Sequence, residues 1–170
     1  MKTLLKFALL SAITFGVITG CSKSKDENKS EEETHAKRMT MTTEAMDVAL
    51  LLIGTGTATI GWGDGKPSET HTISDDWQVF QHSYSNASSH TITVAGDNIT
   101  TLNCQYNQLK TLDVSKNTAL ADLDCYGNRL GSLDLKNNIA LSQLHCGNNR
   151  LDIRMCTPDL LRVHPILDLC

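Results

Sequence analysis

With 170 residues, 20% of them charged and 5% aromatic, the chain has room for one or two small domains. Its formal net charge of −4 excludes the basic stripe through which nucleic-acid binders meet phosphates, so no nucleic acid is expected as a partner. Six cysteines invite a disulfide framework, but one follows an apolar leader and three recur at a single repeat position, which argues against a stapled scaffold.

Lys2 and Lys6 form a short basic region ahead of an apolar run from Phe7 to Ile18, and Ile18-Thr19-Gly20-Cys21 follows. That run is too short for a permanent spanning helix, which needs about 20 residues, so residues 1–20 are expected to be a secretory signal. The order aliphatic, small, Gly, Cys resembles the lipobox of bacterial lipoproteins. The resemblance implies cleavage before Cys21, lipidation of its thiol, and a membrane partner held through that anchor. Removal of residues 1–20 takes away two lysines and leaves a net charge of −6.

Residues 21–38 are expected to be the lipidated Cys followed by a disordered tether. Ser22 to Arg38 has one apolar residue, Ala36, and cannot bury enough surface to offset the entropy of ordering. Its five basic and five acidic residues nearly cancel, so self-repulsion does not stiffen it. Lys25-Asp26-Glu27 resembles the acidic export signal of Bacteroides-type lipoproteins, which implies the bacterial outer membrane with the chain facing the cell exterior. A generic solvated tether is the alternative.

From Met41 to Gly96 apolar and β-branched residues come in short runs: Val48 to Ile53, Thr57 to Trp62, and His90 to Val94, where Ile92 and Val94 alternate with Thr91 and Thr93. Period-two alternation bounded by Gly and Asp predicts half-buried strands. Gly61-Trp62-Gly63-Asp64-Gly65 predicts a turn, because Gly supplies positive φ and Asp bonds its own backbone. Short strands at this spacing point to a small β-sandwich over residues 39–98. TATIGWGDG followed by HSYSNASSHTITVAG resembles the PKD-like immunoglobulin fold, although Ser88-Ser89-His90 stands where that family has Gly-x-Tyr.

Asp64, His71, Asp75, Asp76 and His82 lack the ligand spacing of zinc sites, so no metal is expected. Asp64 is expected to hold the turn and His82 to pack near Tyr84. Gly54-Thr55-Gly56 is too short for a phosphate-binding fingerprint, and no cofactor is implied.

Residues 99–153 repeat with a period of 21: Cys104, Cys125 and Cys146, with Leu102, Leu123 and Leu144, Asn107, Asn128 and Asn149, and Leu109, Leu130 and Leu151. Leu120 to Leu130 spells L-x-x-L-x-C-x-x-N-x-L. These residues resemble the leucine-rich repeats, in the 21-residue form of Bacteroides-type surface lipoproteins. The resemblance implies a short solenoid, so the fold class expected for the chain is mainly β: a small immunoglobulin/PKD-like β-sandwich followed by a short leucine-rich-repeat solenoid.

In a solenoid each coil hides its apolar face against its neighbours. Leu102, Leu123 and Leu144 are expected to form one internal column, Leu109, Leu130 and Leu151 another, and Leu112 and Leu133 a third. The cysteines take a Leu or Ile position, where a thiol acts as a small hydrophobe. Asn107, Asn128 and Asn149 are expected to satisfy backbone groups where the chain turns. Asp113 and Asp134 are expected to bind turn amides, with an exposed calcium ladder as the alternative.

The outward positions are Thr101, Asp122 and Gln143, then Asn103, Asp124 and His145, then Gln105, Tyr126 and Gly147. The first eight of these side chains form the candidate binding face, suited to a protein or glycan ligand. A solvated face without a partner is the bland alternative. His145 beside Cys146 is no catalytic pair, since neighbours on a strand point to opposite sides, and no paired carboxylates or nucleophile arrangement stands elsewhere.

After Leu151 the register fails. Pro158 and Pro165 interrupt the chain, and Cys156 and Cys170 fall off the 21-residue grid. Residues 154–170 are therefore a degenerate tail, either an unusual cap built on Leu160, Leu161, Ile166 and Leu167 or the end of a truncated array, with low order expected from Arg154 onward. The expected function is that of a lipid-anchored, cell-surface, non-enzymatic leucine-rich-repeat protein for protein or glycan binding and adhesion. The alternatives are a non-catalytic accessory component of a surface glycan- or peptide-processing system, or a remnant without its own ligand.

Overall fold

The computed structural model describes residues 37–152. The signal region 1–20, Cys21, most of the tether and the tail 154–170 lie outside the described residues. The fold is mainly β, and among the described residues eight strands join in one sheet: β1 (Arg38–Thr43), β2 (Asp47–Gly61), β3 (Glu69–Ile73), β4 (Gln78–Ser83), β5 (His90–Asn103), β6 (Thr111–Asp113), β7 (Asp122–Asp124) and β8 (Gln143–His145).

Arg38, expected at the end of the tether, instead opens β1 and pairs with Ala95. The physical reason is the alternation that starts there: Met39 and Met41 are buried while the residues between them are not, so the strand is drawn onto the core.

The two apolar runs expected before and after Gly54-Thr55-Gly56 are one strand. β2 runs through them for 15 residues and keeps Val48, Leu50, Leu52, Ala58 and Ile60 on the buried side. Its pairing with β5 slips at Ile53/Gly54 and again between Thr55 and Ala58, and there the sheet bends. Gly54 is needed at the bend: a Cβ at that position would stand 2.1 Å from the Asn98 carbonyl oxygen.

The bend lets β2 and β5 serve two neighbourhoods. The first part of β2 pairs with β4 and its last part with β3, both antiparallel. The first part of β5 pairs with β1, whose other edge takes β6. The last part of β5, Thr101 to Asn103, pairs in parallel with β7, and β7 in parallel with β8, in 21-residue steps.

The junction expected at 98/99 thus falls inside β5, and no linker separates the two segments. One hydrophobic core runs through both, from Met39, Leu50 and Ile60 to Leu102, Leu123 and Leu144. Of the expected columns, Leu133 and Leu151 are only half-buried; the segment of Leu133 forms no strand of the kind β6 makes against β1, and Val114 and Leu135 are buried instead.

Candidate functional site

The parallel pairing of β5, β7 and β8 sets Thr101, Asp122 and Gln143 side by side, and Asn103, Asp124 and His145 in the next outward row. The leucines between them, Leu102, Leu123 and Leu144, point inward and are buried. Gln143 and His145 are exposed, whereas Thr101, Asn103, Asp122 and Asp124 are half-buried. Gln105 and Tyr126 follow beyond the strand ends, both exposed.

Much of this face is occupied with itself. The Asn103 amide donates to Asp124 Oδ2 at 3.2 Å, and its Oδ1 accepts from the Gln105 N–H at 3.1 Å. Asp124 Oδ1 accepts from the Tyr126 N–H at 3.0 Å. Burial pushes the Asp122 carboxyl above the ordinary carboxylate range; His145 opposes that shift and the Asp124 charge adds to it.

The columns behind the face are packed. Cys104, Cys125 and Cys146 are buried, and burial pushes the Cys125 thiol up to about 12 and the Cys104 thiol well above its ordinary value. A thiol held neutral is a poor nucleophile. Asn128 accepts from the N–H groups of Asn107 and Leu109 at 3.0 and 2.9 Å, and donates to the carbonyls of Cys104 and Cys125 at 3.0 and 2.9 Å. Asn149 repeats the pattern one step on, towards Leu130, Cys125 and Cys146. The Asn107 amide instead closes a pair of bonds on Ala49 of β2 at 2.9 and 2.8 Å. A second buried pair, Asn117 and Asn138, escaped the sequence reading although the two lie 21 apart: Asn138 donates to the carbonyls of Val114 and Asn117. Asp113 and Asp134 accept from the N–H groups of Ser115 and Lys136.

The scattered acids and histidines of the first segment do not converge. Asp64 takes the Lys66 N–H at 3.1 Å and meets His82 Nε2 at 3.1 Å. His71 faces Glu69 instead, and Asp75 and Asp76 stand exposed between β3 and β4. His82 lies flat on Trp62, with ring centroids 4.9 Å apart, and edge-on to Tyr84, which stacks on His90 at 3.8 Å. The Tyr84 hydroxyl donates to the Trp62 carbonyl at 2.6 Å, and burial pushes its pKa up to about 12. The W-G-D-G turn and the H-x-Y stretch thus meet in one aromatic cluster. Among the described residues no group of three or more His, Cys, Asp or Glu is placed to hold a metal ion.

Where the first repeat turn meets β2 and β4, an open cleft of about 430 Å³ is lined by Asp47, Ala49, Gln81, Ser83, Gln105 and Tyr106, with Val48, His82 and Asn107 completing it. Gln105 alone of these belongs to the face expected from the sequence. Tyr106 escaped notice because it lies one residue beyond the outward positions, in a turn rather than a strand; its exposed ring meets that of Tyr126 edge-on at 5.5 Å.

The chain was compared with protein-family models, with curated proteins and with solved structures, and none matches it.

Proposed function

We propose that this chain is a lipid-anchored, cell-surface binding module of leucine-rich-repeat type, with a PKD-like sandwich that leads into a short solenoid. The observation that carries this reading is the parallel stacking of β5, β7 and β8 in 21-residue steps, which keeps equivalent side chains in rows and turns one row of polar groups outward. The contact of Trp62 with His82 and Tyr84 supports the sandwich part, since it joins the two motifs on which that resemblance rests.

The module is not an enzyme in this reading. The thiols of Cys104, Cys125 and Cys146 are buried, the Asp124 carboxylate is tied to amides, and recognition rests on exposed side chains rather than on an activated nucleophile. Cys21 supplies the membrane anchor, and the stretch after it carries the module to the outer face of the bacterial outer membrane. The ligand is a protein or a glycan.

External protease on intact cells tests this directly. Cleavage of the wild-type chain on whole cells, together with release of a Cys21→Ser form into the soluble fraction, is the expected outcome. Protection of the wild-type chain on intact cells, with digestion only after lysis, overturns the surface assignment.

A further inference from the structure

The repeat turn places a backbone position in the left-handed region at each step, Tyr106 with φ 56°, Gly127 with φ 69° and Asn148 with φ 53°, 21 residues apart, and in the first step Gln108 with φ 54° joins it. Gly adopts that conformation freely and Asn tolerates it, because its short amide bonds locally. A bulky ring there is a strained choice. Core packing does not demand it, since Tyr106 is 65% exposed. The next step is fitted to the ring: a Cβ on Gly127 would stand 2.5 Å from Tyr106 Cε1. A large aromatic is thus held over its neighbour, in an unfavourable backbone conformation, at the mouth of a cleft. Strain kept where packing does not require it marks a surface that contacts something else.

The lining says what that is. None of the cleft residues is Lys or Arg, so nothing there draws an anion. The Asp47 carboxylate already accepts from the Ser83 hydroxyl at 2.7 Å, while the side chains of Gln81 and Gln105 are exposed and offer both donors and acceptors. The N–H groups of the repeat-turn wall are used up. The N–H groups of Gln105, Tyr106 and Asn107 donate to Asn103, Tyr126 and Asn128, and the Asn107 carbonyl accepts from Thr43. An extended peptide, which docks through paired main-chain donors and acceptors, finds no free N–H on that wall. A neutral sugar needs only what is present: an aromatic face for its C–H side and uncharged side chains for its hydroxyls.

We infer that the cleft between β4 and the first repeat turn is a subsite for a neutral oligosaccharide, with the Tyr106 ring as its platform and the amides of Gln81 and Gln105 as its hydroxyl partners. This rests on reading the chain as a binding module and names the ligand class of that module.

Calorimetric titration of the full chain carrying Cys21→Ser with maltohexaose, cellohexaose, laminarihexaose and mannohexaose tests it. The expected result is binding of at least one of these, weakened about tenfold or more by Tyr106→Asn and several-fold by Gln81→Ala or Gln105→Ala. Tyr106→Asn puts at this position the residue that the third step already carries, so its Tm is expected to equal or exceed that of the parent. Absence of binding to all four sugars overturns the subsite, as does unchanged affinity in Tyr106→Asn. A fall of several degrees in the Tm of Tyr106→Asn overturns it too, because the ring is then kept for packing over Gly127. If no sugar binds but a captured surface protein is lost in Tyr106→Asn, the glycan class falls and the binding module stands; protection from external protease on cells removes the module itself.

Discussion

Between Leu51 and Gly61 the backbone is met largely by antiparallel strands, whereas between Cys104 and Leu130 many buried amides and carbonyls are met by the side chains of asparagines. A strand ladder spreads its hydrogen bonds over many residues, so no single side chain decides it. An asparagine column concentrates them: one amide group closes four backbone positions that have no water to turn to. The first segment should therefore tolerate polar substitution on its outer face, and the second should fail at single residues. At the join the two systems touch, where the Asn107 amide bonds the backbone of Ala49 in β2.

The largest expected effect comes from Asn128→Ala. It strands the N–H groups of Asn107 and Leu109 and the carbonyls of Cys104 and Cys125, and should lower unfolding free energy by about 4 kcal/mol. By contrast, Thr59→Ala, which removes only an exposed hydroxyl pair with Thr70 on the antiparallel side, should cost about 0.5 kcal/mol. Urea titrations of both variants measure the contrast, and equal losses would erase the distinction between the two segments.

Leu102→Ala tests whether the segments stand or fall together. Leu102 is fully buried in the part of β5 that pairs with both β2 and β7, and its truncation should cost about 3 kcal/mol in a single transition. Two separate calorimetric peaks in that variant would mean that the core is divided after all.

Gly127→Ala is expected to cost about 2 kcal/mol, from its positive φ and from the collision of the new methyl with the Tyr106 ring. Only the second part should vanish in a Tyr106→Asn background. A double-mutant cycle that comes out additive would show that the ring moves aside without penalty.

The smallest effect is on pH dependence. Burial raises the Cys125 pKa from 9.0 to about 12, so the folded state holds its proton where the unfolded chain has lost it. That contribution is whole below pH 9.0 and disappears as pH rises towards about 12. Cys104 acts in the same direction. Tm should thus fall more steeply with pH in the parent than in Cys125→Ala, and parallel slopes would place these thiols in contact with water.

Much of the fold could be read in advance because periodicity is a local property. Alternation in HTITV is enough to name a strand, and a recurrence of 21 residues is enough to bring Leu102, Leu123 and Leu144 onto one side. The rows of the outward face follow from the same count, as does the pairing of Asn103 with Asp124. Asn117 and Asn138 carry the same 21-residue signal.

What the sequence by itself determined was the alternation, the 21-residue spacing and the polar character of the outward positions, all of which depend on residues close along the chain or set at a constant step. Only the tertiary structure decided that β2 and β5 bend together at Gly54, that the two segments share β5 and one core, and that β4 comes to face the turn at Tyr106. The physical reason is that these contacts join residues with no fixed spacing between them. A bulge and a glycine at one point of the sheet set which distant surfaces meet, and the cleft is where they do.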